Sequence, residues 1–559
     1  MKMLFKSMKY AVAIIGAAVI SVGCEDFLTT NPSTEVSDTN VQSSVVQLDM
    51  ALTSAYKHFL FGSHTNNAGD RVYAGIAGFQ MYYDLRGTDI MCGNNMGGSQ
   101  CSSTQFAPDV TRTDGQYAQV FWEWGYKLIN LLNMIIDSSE TAAGADADKA
   151  ILVGQAKAMR GVAYFHLILN YQNTYVLAKD KRGVILRLHK DDPQDMGFAT
   201  TEEVYQQILK DLNDANSALV GYANADQPWR ITTDVVNGYL ARVYQCMANW
   251  TKAYEHAKAV YNKYPNLMSE AEWTGGFDDQ ENVEEVVWHI SYDNNNNLGG
   301  GTQYNFWFNY DPGYGETAND VHAITGKASI YKFMNFFATT DYVNLFEEGD
   351  YRGGKKLSRE EAIAKYNNNG TWDWAAYDAA VQGVNFWQRA LNTTEYQGYK
   401  WAYNKWKHYG DEAGSTYPTI PLMRSSEMLL IAAEAAANGA GSDAKALLNK
   451  LQTARGASAT EATLENIYKE RRKELLGEGV TGQYDLLRLQ KGITRKVESE
   501  NAKEEWILSN VQQFPGFSSS ATTVSIPAND YRFICQIPVV EFNENKAIST
   551  SENNPYEGK

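Results

Sequence analysis

Apolar residues recur every three or four positions through most of the first half of the chain. That spacing places them on one face of an α-helix and leaves the opposite face polar. A Thr-Thr-Glu-Glu run at residues 200–203 has the acidic residues that favour a helix N-terminus. The pattern predicts four long helices, over Val41–Phe61, Gln116–Ser138, Ala150–Tyr171 and Thr201–Leu219.

The clearest helix–turn–helix pattern covers residues 234–265. It predicts helices over Asp234–Met247 and Trp250–Tyr264, joined by a tight turn at Ala248 and Asn249. Small side chains recur where two antiparallel helices would cross, which allows close packing of the kind found in tetratricopeptide repeats. These small residues are Ala241, Ala253 and Ala257.

A second copy of this pattern covers residues 425–456. Ala432 and Ala444 are 12 positions apart, as are Ala241 and Ala253. The equal spacing indicates that the two copies share a register. We therefore predict a mainly α fold, built as a tetratricopeptide-like scaffold of helical pairs.

Residues 278–417 have a different character, because they are rich in Gly, Asn and aromatic residues and lack a sustained helical period. Short strands are predicted over Val286–Ser291 and Tyr304–Tyr310. We expect a large, irregular, loop-rich insertion packed on a helical scaffold formed by residues 41–277 and completed by residues 418–559. Loops held on a rigid scaffold are where binding residues usually lie.

The N-terminus has the composition of a secretory signal. Three lysines precede an apolar run from Tyr10 to Val22, which is too short to span a membrane, and small residues lead to Cys24. A cysteine at the cleavage zone is typical of a bacterial lipoprotein. We therefore expect a signal peptide over residues 1–23, a lipid on Cys24, and a polar tether over residues 24–40 that keeps the protein outside the cytoplasm.

Composition narrows the possible partners. The net charge of −17 argues against nucleic acid as a partner, while 44% hydrophobic residues indicate a globular core. The cysteines form neither a disulfide framework nor a zinc-finger spacing. Cys92 and Cys101 either pair in an oxidising compartment or remain thiols, and Cys246 is expected to be buried in a helix.

Several segments resemble the SusD/RagB family of outer-membrane lipoproteins from Bacteroidota. They include the acidic start of the mature chain, the first long core helix, a strand–turn–helix step, a late charged helix and the C-terminal closing segment. They occur in the family's order over nearly the whole chain. The segments are Cys24–Leu28, Gln155–Phe165, Ile420–Leu430, Glu470–Leu475, Asp485–Arg488, Ile537–Glu541 and Asn554–Tyr556.

The resemblance implies a cell-surface protein that captures an oligosaccharide or another nutrient and caps a SusC-like TonB-dependent transporter. It implies no enzymatic activity and no cofactor. The chain departs from the family after Glu478-Gly479, where Val480-Thr481-Gly482 stands in place of an arginine. An internal ion pair made by that arginine is therefore not expected here.

The chemistry in the sequence is aromatic, because 13 Trp and 35 Tyr concentrate partly in the insertion. Flat aromatic faces cover the C–H faces of sugar rings, while Asn and Asp bond the hydroxyls. Two regions are candidates, the insertion and the early loop after Arg86-Gly87-Thr88. The predicted ligand-binding residues are Asp89, Asn94, Asn95, Trp307, Tyr310, Tyr314, Trp372 and Trp374.

Other charged groups give weaker signals. Asp278, Asp279 and Glu281 could hold Ca²⁺, although a solvated acidic turn is the simpler interpretation. The Glu-Arg-Arg-Lys-Glu run at residues 470–474 is read as a salt-bridged helix face. The eight His are scattered without metal-ligand spacing, and no nucleophile elbow, P-loop or dinucleotide fingerprint occurs.

Together these features predict a non-catalytic, outer-membrane glycan-binding lipoprotein. Three alternatives stay open at this point. One is a peptide-binding member of the same family, because peptides also stack on Tyr and Trp. The others are an all-α secreted glycosidase, whose paired carboxylates would be adjacent only in space, and a repeat adaptor that binds only protein.

Overall fold

The computed structural model describes the helical parts of the chain nearly completely and the insertion in part. The described residues are 43–61, 63–65, 71–73, 75–92, 112–224, 226–277, 283–291, 336–369, 371–373, 376, 379–380, 383–388, 401–403, 405, 419–496 and 523–555. Among them, no helix is long and apolar enough to cross a bilayer.

The elements are numbered in chain order. The helices are α1 (Val45–Phe61), α2 (Ile76–Leu85), α3 (Gln116–Ser138), α4 (Asp146–Tyr171), α5 (Tyr175–Ala178), α6 (Thr201–Ala218), α7 (Thr233–Cys246), α8 (Trp250–Lys263), α9 (Glu270–Gly275), α10 (Thr340–Val343), α11 (Arg359–Tyr366), α12 (Ser425–Ala435), α13 (Ala444–Ala454), α14 (Leu464–Leu475), α15 (Gln483–Arg488) and α16 (Val539–Glu544). The strands are β1 (Ser63–Thr65), β2 (Arg71–Tyr73), β3 (Ile90–Cys92), β4 (Val286–Ser291), β5 (Phe336–Ala338), β6 (Lys356–Leu357), β7 (Asn367–Asn368), β8 (Thr371–Trp372), β9 (Phe386–Gln388), β10 (Trp401–Tyr403), β11 (Thr419–Arg424), β12 (Ile493–Lys496) and β13 (Thr523–Ile526).

The scaffold is a succession of packed helices, which confirms the predicted mainly α class. Helices α1, α3, α4, α6, α7, α8 and α12 each contact the next in this order. The four predicted long helices are present as α1, α3, α4 and α6, with ends that shift by a few residues. Thr200 caps α6 together with Glu203 in a capping box, as the acidic first turn predicted.

The close approach of α4 and α6 has a simple cause. A Cβ on Gly154 would lie 2.9 Å from the Cβ of Ala218, so a larger side chain would force the two helices apart. An ion pair completes the contact. Arg160 on α4 donates to both oxygens of Asp211 on α6, at 2.8 and 2.7 Å, and both side chains are buried.

The two helical pairs lie side by side, since α8 packs directly against α12 although the insertion separates them in the sequence. The predicted turn is present, with Ala248 at φ 55° and Asn249 capping α8. The predicted shared register is wrong, however. A wide turn over Ala436–Ala440, with Gly439 at φ 96°, lengthens the second connection, so Ala444 begins its helix and is half-buried, whereas Ala253 is fully buried.

The β-structure is built from short strands. The strand predicted over Val286–Ser291 is present as β4 and pairs antiparallel with β11, which runs directly into α12. A five-stranded sheet has the order β3-β5-β10-β9-β6, in which only β6 and β9 are parallel. The strand predicted over Tyr304–Tyr310 lies outside the described residues.

Cysteines have the expected placement where they are described. Cys246 is 3% exposed in the core, and Cys535 is similarly buried, both as free thiols. Burial raises the pKa of each thiol to about 11, so both are protonated at neutral pH. Pairing of Cys92 with Cys101 lies outside the described side chains and stays a prediction.

Candidate functional site

The five-stranded sheet joins the two regions that the sequence marks for ligand binding. Strands β3 and β5 are adjacent and antiparallel, with Cys92 opposite Phe336 and Ile90 opposite Ala338. The chain therefore leaves β3, towards Asn94, at the same end of this strand pair at which it enters β5 from the insertion. Two segments that are far apart in sequence are therefore attached at the same end of this strand pair.

The sheet rests on an aromatic cluster. Tyr403 of β10 stacks on Phe386 of β9, with ring centroids 4.4 Å apart and planes 13° from parallel. Tyr342 of α10 meets Phe386 edge-on at 6.0 Å. Helix α2 supplies Leu85, which is fully buried in the same cluster. Burial of these rings fixes the sheet against the scaffold.

A charged helix turn lies beneath the sheet. The run from Glu470 to Glu474 on α14 was predicted to be a salt-bridged helix face, and salt bridges do form, but they are buried in the protein interior. Lys473 pairs within the helix with Glu470 at 3.5 Å, and the other partners lie elsewhere in the chain. The pairs are Glu470 with Arg352, Arg471 with Asp485, Arg472 with Asp89, Lys473 with Asp350, and Glu474 with Arg352, Arg424 and Arg455.

Glu474 is the centre of this network. One carboxylate oxygen accepts hydrogen bonds from Arg424 and Arg455, both at 2.8 Å, and the other accepts from Arg352 at 2.9 Å. Burial by itself would raise the pKa of Glu474, but the guanidinium groups of Arg455 and Arg424 lower it well below its usual range. The carboxylate is therefore charged at neutral pH.

The network is balanced in charge, which lowers the free-energy cost of burying it. Five cations face five carboxylates, so each buried charge has a partner of opposite sign. The indole of Trp273 also lies 4.9 Å from the Arg455 guanidinium and 5.1 Å from the Lys405 ammonium. The ten residues are Arg352, Lys405, Arg424, Arg455, Lys473, Glu285, Asp350, Glu470, Glu474 and Glu478.

Lys405 connects the network to the sheet, because it follows β10 by two residues. Its ammonium donates to the Glu478 carboxylate at 2.7 Å and to the carbonyls of Glu474 and Leu476 at 2.9 and 2.8 Å. Burial lowers the pKa of Lys405 to about 8, while Glu478 opposes that shift. The lysine therefore fixes β10 to the end of α14.

The loop that follows α14 encloses a buried carboxylate. The loop over residues 477–482 wraps the buried carboxylate of Asp84, on α2. That carboxylate accepts hydrogen bonds from the backbone N–H groups of Gly477, Gly479, Thr481 and Gly482, at 2.7, 2.9, 3.3 and 3.1 Å. A Cβ on Gly482 would lie 2.0 Å from the carbonyl oxygen of Tyr83, so only glycine fits. Sequence reasoning missed this site, although the three glycines signalled a tightly bent loop.

One internal cavity is lined by Tyr83, His166, Tyr239 and Arg242 among others, with a volume of about 20 Å³. That is roughly the space of one water molecule and far too small for a sugar ring. Among the described residues, no group of His, Cys, Asp and Glu is arranged to hold a metal ion.

The structure places the predicted site residues unequally. Asp89 is buried at the base of the early loop, where Arg472 binds its carboxylate, so it makes a structural contact. Trp372 lies in the β7–β8 hairpin, and only its backbone is described. The other predicted residues lie outside the described residues and stay predictions. They are Asn94, Asn95, Trp307, Tyr310, Tyr314, Trp374, the lipidation residue Cys24 and the weak calcium candidates Asp278, Asp279 and Glu281.

Comparison with known families decides the relationship. A family model described as "Starch-binding associating with outer membrane" matches residues 37–245, and the "SusD family" model matches residues 284–556. The chain belongs to the SusD/RagB family. No curated protein matches it.

Solved structures of SusD proteins share this fold. A SusD-like carbohydrate-binding protein from Bacteroides vulgatus is 21% identical with a TM-score of 0.71, covering 92% of this chain and 99% of its own. Surface glycan-binding protein A from Bacteroides thetaiotaomicron, solved with laminarihexaose, is 16% identical with a TM-score of 0.62, covering 92% and 100%. A laminarin-binding SusD-like protein is 17% identical with a TM-score of 0.59, covering 92% and 99%.

Proposed function

We propose that this SusD-family protein is a cell-surface glycan-binding lipoprotein that captures an oligosaccharide and delivers it to a SusC-like TonB-dependent transporter. The observation that carries the proposal is the family membership over both halves of the chain. Two relatives of the same fold are named for binding laminarin or were solved with laminarihexaose, which supports a glycan as the ligand.

The chemistry of the candidate segments supports the same conclusion. Trp307, Tyr310 and Tyr314 supply flat faces for sugar rings, and Asn94 and Asn95 supply amides for hydroxyl groups. The two segments attach to adjacent strands, β3 and β5. A ligand held between them would therefore meet stacking groups from one segment and hydrogen-bonding groups from the other.

We propose that binding occurs without turnover. Glycoside hydrolysis needs two carboxyl groups that are free to act on the sugar. Among the described residues, three carboxylates buried beside the sheet are held in ion pairs: Asp89 with Arg472, Asp350 with Arg352, and Glu478 with Lys405 and Arg424.

A ligand screen tests the binding proposal. The mature protein is mixed with laminarihexaose, maltohexaose, xylohexaose, host glycans and a peptide library, and its melting temperature is measured. A true ligand stabilises the protein by RT ln(1 + [L]/Kd), so the stabilisation grows with the logarithm of the ligand concentration once it exceeds the dissociation constant. We expect stabilisation by at least one glycan and no release of reducing sugar. Stabilisation by peptides alone, or release of sugar, would overturn the proposal.

The membrane and transporter parts of the proposal need separate experiments. Lipidation of Cys24 predicts that the wild-type protein fractionates with outer membranes and that Cys24→Ser does not. Delivery to a transporter predicts that a SusC-like barrel co-purifies with the protein from native membranes after mild detergent extraction. A wild-type protein found in the cytoplasm, or one purified without any transporter, would contradict the respective part.

A further inference from the structure

Asp89 joins two strands and a helix at one point. It directly precedes β3, and its backbone carbonyl accepts a hydrogen bond at 2.8 Å from the N–H of Thr339, which directly follows β5. Its carboxylate accepts from Nε of Arg472 on α14 at 3.0 and 3.2 Å and also from Nη2 of the same arginine. The ion pair thus fixes the start of β3 to the scaffold, and the backbone hydrogen bond to Thr339 fixes the end of β5 to the same point.

The pair is shielded from solvent and further braced. The side chains of Arg472 and Asp89 are only 11% and 5% exposed. The Arg472 guanidinium lies 5.6 Å from the ring centroid of Tyr468. The backbone carbonyl of Arg472 accepts a hydrogen bond from the Tyr342 hydroxyl at 3.3 Å. Because the charges are matched and desolvated, loss of Asp89 leaves the largely buried Arg472 guanidinium without its carboxylate partner.

We propose that Asp89 and Arg472 are positioning residues for ligand binding, which act through β3 and β5 without touching the ligand. This inference rests on the proposed function. β3 is an edge strand of only three residues, so its pairing with β5 gives little rigidity by itself and its direction depends on the anchor at Asp89. A strand of that length spans about 10 Å, so a tilt of about 10° at Asp89 moves Cys92 by about 1.7 Å. Displacements of that size weaken a preorganised site.

The chain offers a matched control pair. Arg160 and Asp211 form an equally buried, bidentate ion pair between α4 and α6, away from the sheet. Four variants of the full mature protein are compared with wild type: Asp89→Asn, Arg472→Gln, the conservative Arg472→Lys, and Asp211→Asn as the control. Two readouts are measured on each, hydrogen exchange of the β3 and β5 amides and affinity for laminarihexaose or, if another panel glycan binds tighter, for that glycan.

We expect Asp89→Asn and Arg472→Gln to speed exchange over Ile90–Cys92 and Phe336–Ala338 by about tenfold or more and to weaken glycan binding by a similar factor. Arg472→Lys keeps the positive charge but loses the bidentate guanidinium contact, so its exchange rates and affinity should lie between those of wild type and Arg472→Gln. Asp211→Asn should lower the melting temperature while leaving affinity and exchange at β3 and β5 within about twofold of wild type.

The readouts separate the failure of this inference from failure of the proposed function. Unchanged exchange at β3 and β5 in the Asp89 and Arg472 variants would overturn the positioning role, as would an equal loss of affinity in Asp211→Asn. If Asp89→Asn does not fold, Arg472→Lys decides the same question. If wild type binds no panel glycan, the proposed function fails, while the exchange data still determine whether the pair holds the two strands.

Discussion

Arg424 donates to Glu474 at 2.8 Å in the interior, where both side chains are fully buried. Arg424 ends β11 and Glu474 lies in the last turn of α14, so the contact connects the strand–turn–helix step of the second helical pair with the charged helix beneath the sheet. Glu474 also pairs with Arg352, and Arg424 with Glu285, so charge as well as apolar burial holds the insertion to the scaffold. That arrangement has measurable consequences for stability and binding.

Glu474→Gln should be strongly destabilising. The substitution leaves three guanidinium groups facing a neutral amide in a dry environment, and breaking a buried pair typically costs about 3–5 kcal/mol. The free energy of unfolding, measured by urea denaturation at pH 7, should fall by that amount. Glu461→Gln is the control, because Glu461 pairs with Lys445 at the surface with side chains 73% and 58% exposed, and it should cost less than about 1 kcal/mol. Equal effects of the two variants would contradict the buried network.

His166 should make the protein less stable in mild acid. Burial, with help from Arg242, lowers the pKa of His166 from 6.5 to about 3. As the pH falls below 6.5, His166 binds a proton in the unfolded chain but stays neutral in the folded protein. The free energy of unfolding therefore decreases progressively between pH 6.5 and 3. The contribution lost at pH 5 is about 2 kcal/mol.

The His166→Gln variant tests this contribution. Its glutamine cannot titrate, so the difference in unfolding free energy between pH 7.5 and pH 5 should be smaller than in wild type by about that 2 kcal/mol. The measurement is urea denaturation of both proteins at the two pH values. A pH dependence identical in variant and wild type would show that His166 does not titrate as its burial implies.

Asp84→Asn should loosen the loop over residues 477–482. In the wild type each carboxylate oxygen accepts hydrogen bonds from two backbone N–H groups. Asparagine replaces one of these oxygens with an NH₂ group, which cannot accept, so at least two buried N–H groups lose their partner. We expect a loss of about 3 kcal/mol in unfolding free energy and faster amide exchange at Gly477, Gly479 and Gly482. Asp192→Asn is the control, because Asp192 accepts backbone N–H bonds in a loop that water can reach. Similar losses for both variants would argue against the special role of Asp84.

Trp307→Ala should weaken glycan binding by about tenfold while changing the melting temperature little, because a stacking platform contributes on the order of 1–2 kcal/mol to affinity. Alternation along the predicted strand sends Phe306 to the opposite face, which makes Phe306→Ala the control. That variant should lower stability and preserve affinity, as measured by calorimetric titration with the strongest glycan of the panel. The reverse pattern would assign Trp307 to the core.

Local pattern was a reliable guide wherever the decisive interactions are local. The helix that begins at Thr201 was predictable because its capping box lies within four residues, and the turn at Ala248 because helical periodicity breaks there. The second helical pair shows the limit. The 12-residue spacing from Ala432 to Ala444 matched the first pair only because Ala is common, since the wide turn over Ala436–Ala440 shifts the helix that follows.

Charged residues were where sequence reasoning failed. The run from Glu470 to Glu474 has the composition of a solvated helix face, and nothing within the run indicates that it is buried. Its partners lie far away in the chain, as with Arg472 and Asp89, which are 383 positions apart. Because Arg472 is so far from Asp89 in sequence, their ion pair could not be predicted, and Asp89 was predicted only as a ligand-binding residue.

The sequence by itself determined the mainly α class, the paired helices, the strand at Val286 and the family, because periodicity, capping and ordered motifs are properties of neighbouring residues. Only the tertiary structure decided which charges are buried, that Asp84 is wrapped by a glycine loop, and that β3 and β5 share an edge. The physical reason is that the cost of burying a charge depends on which distant groups the fold brings to it, and no local pattern records that.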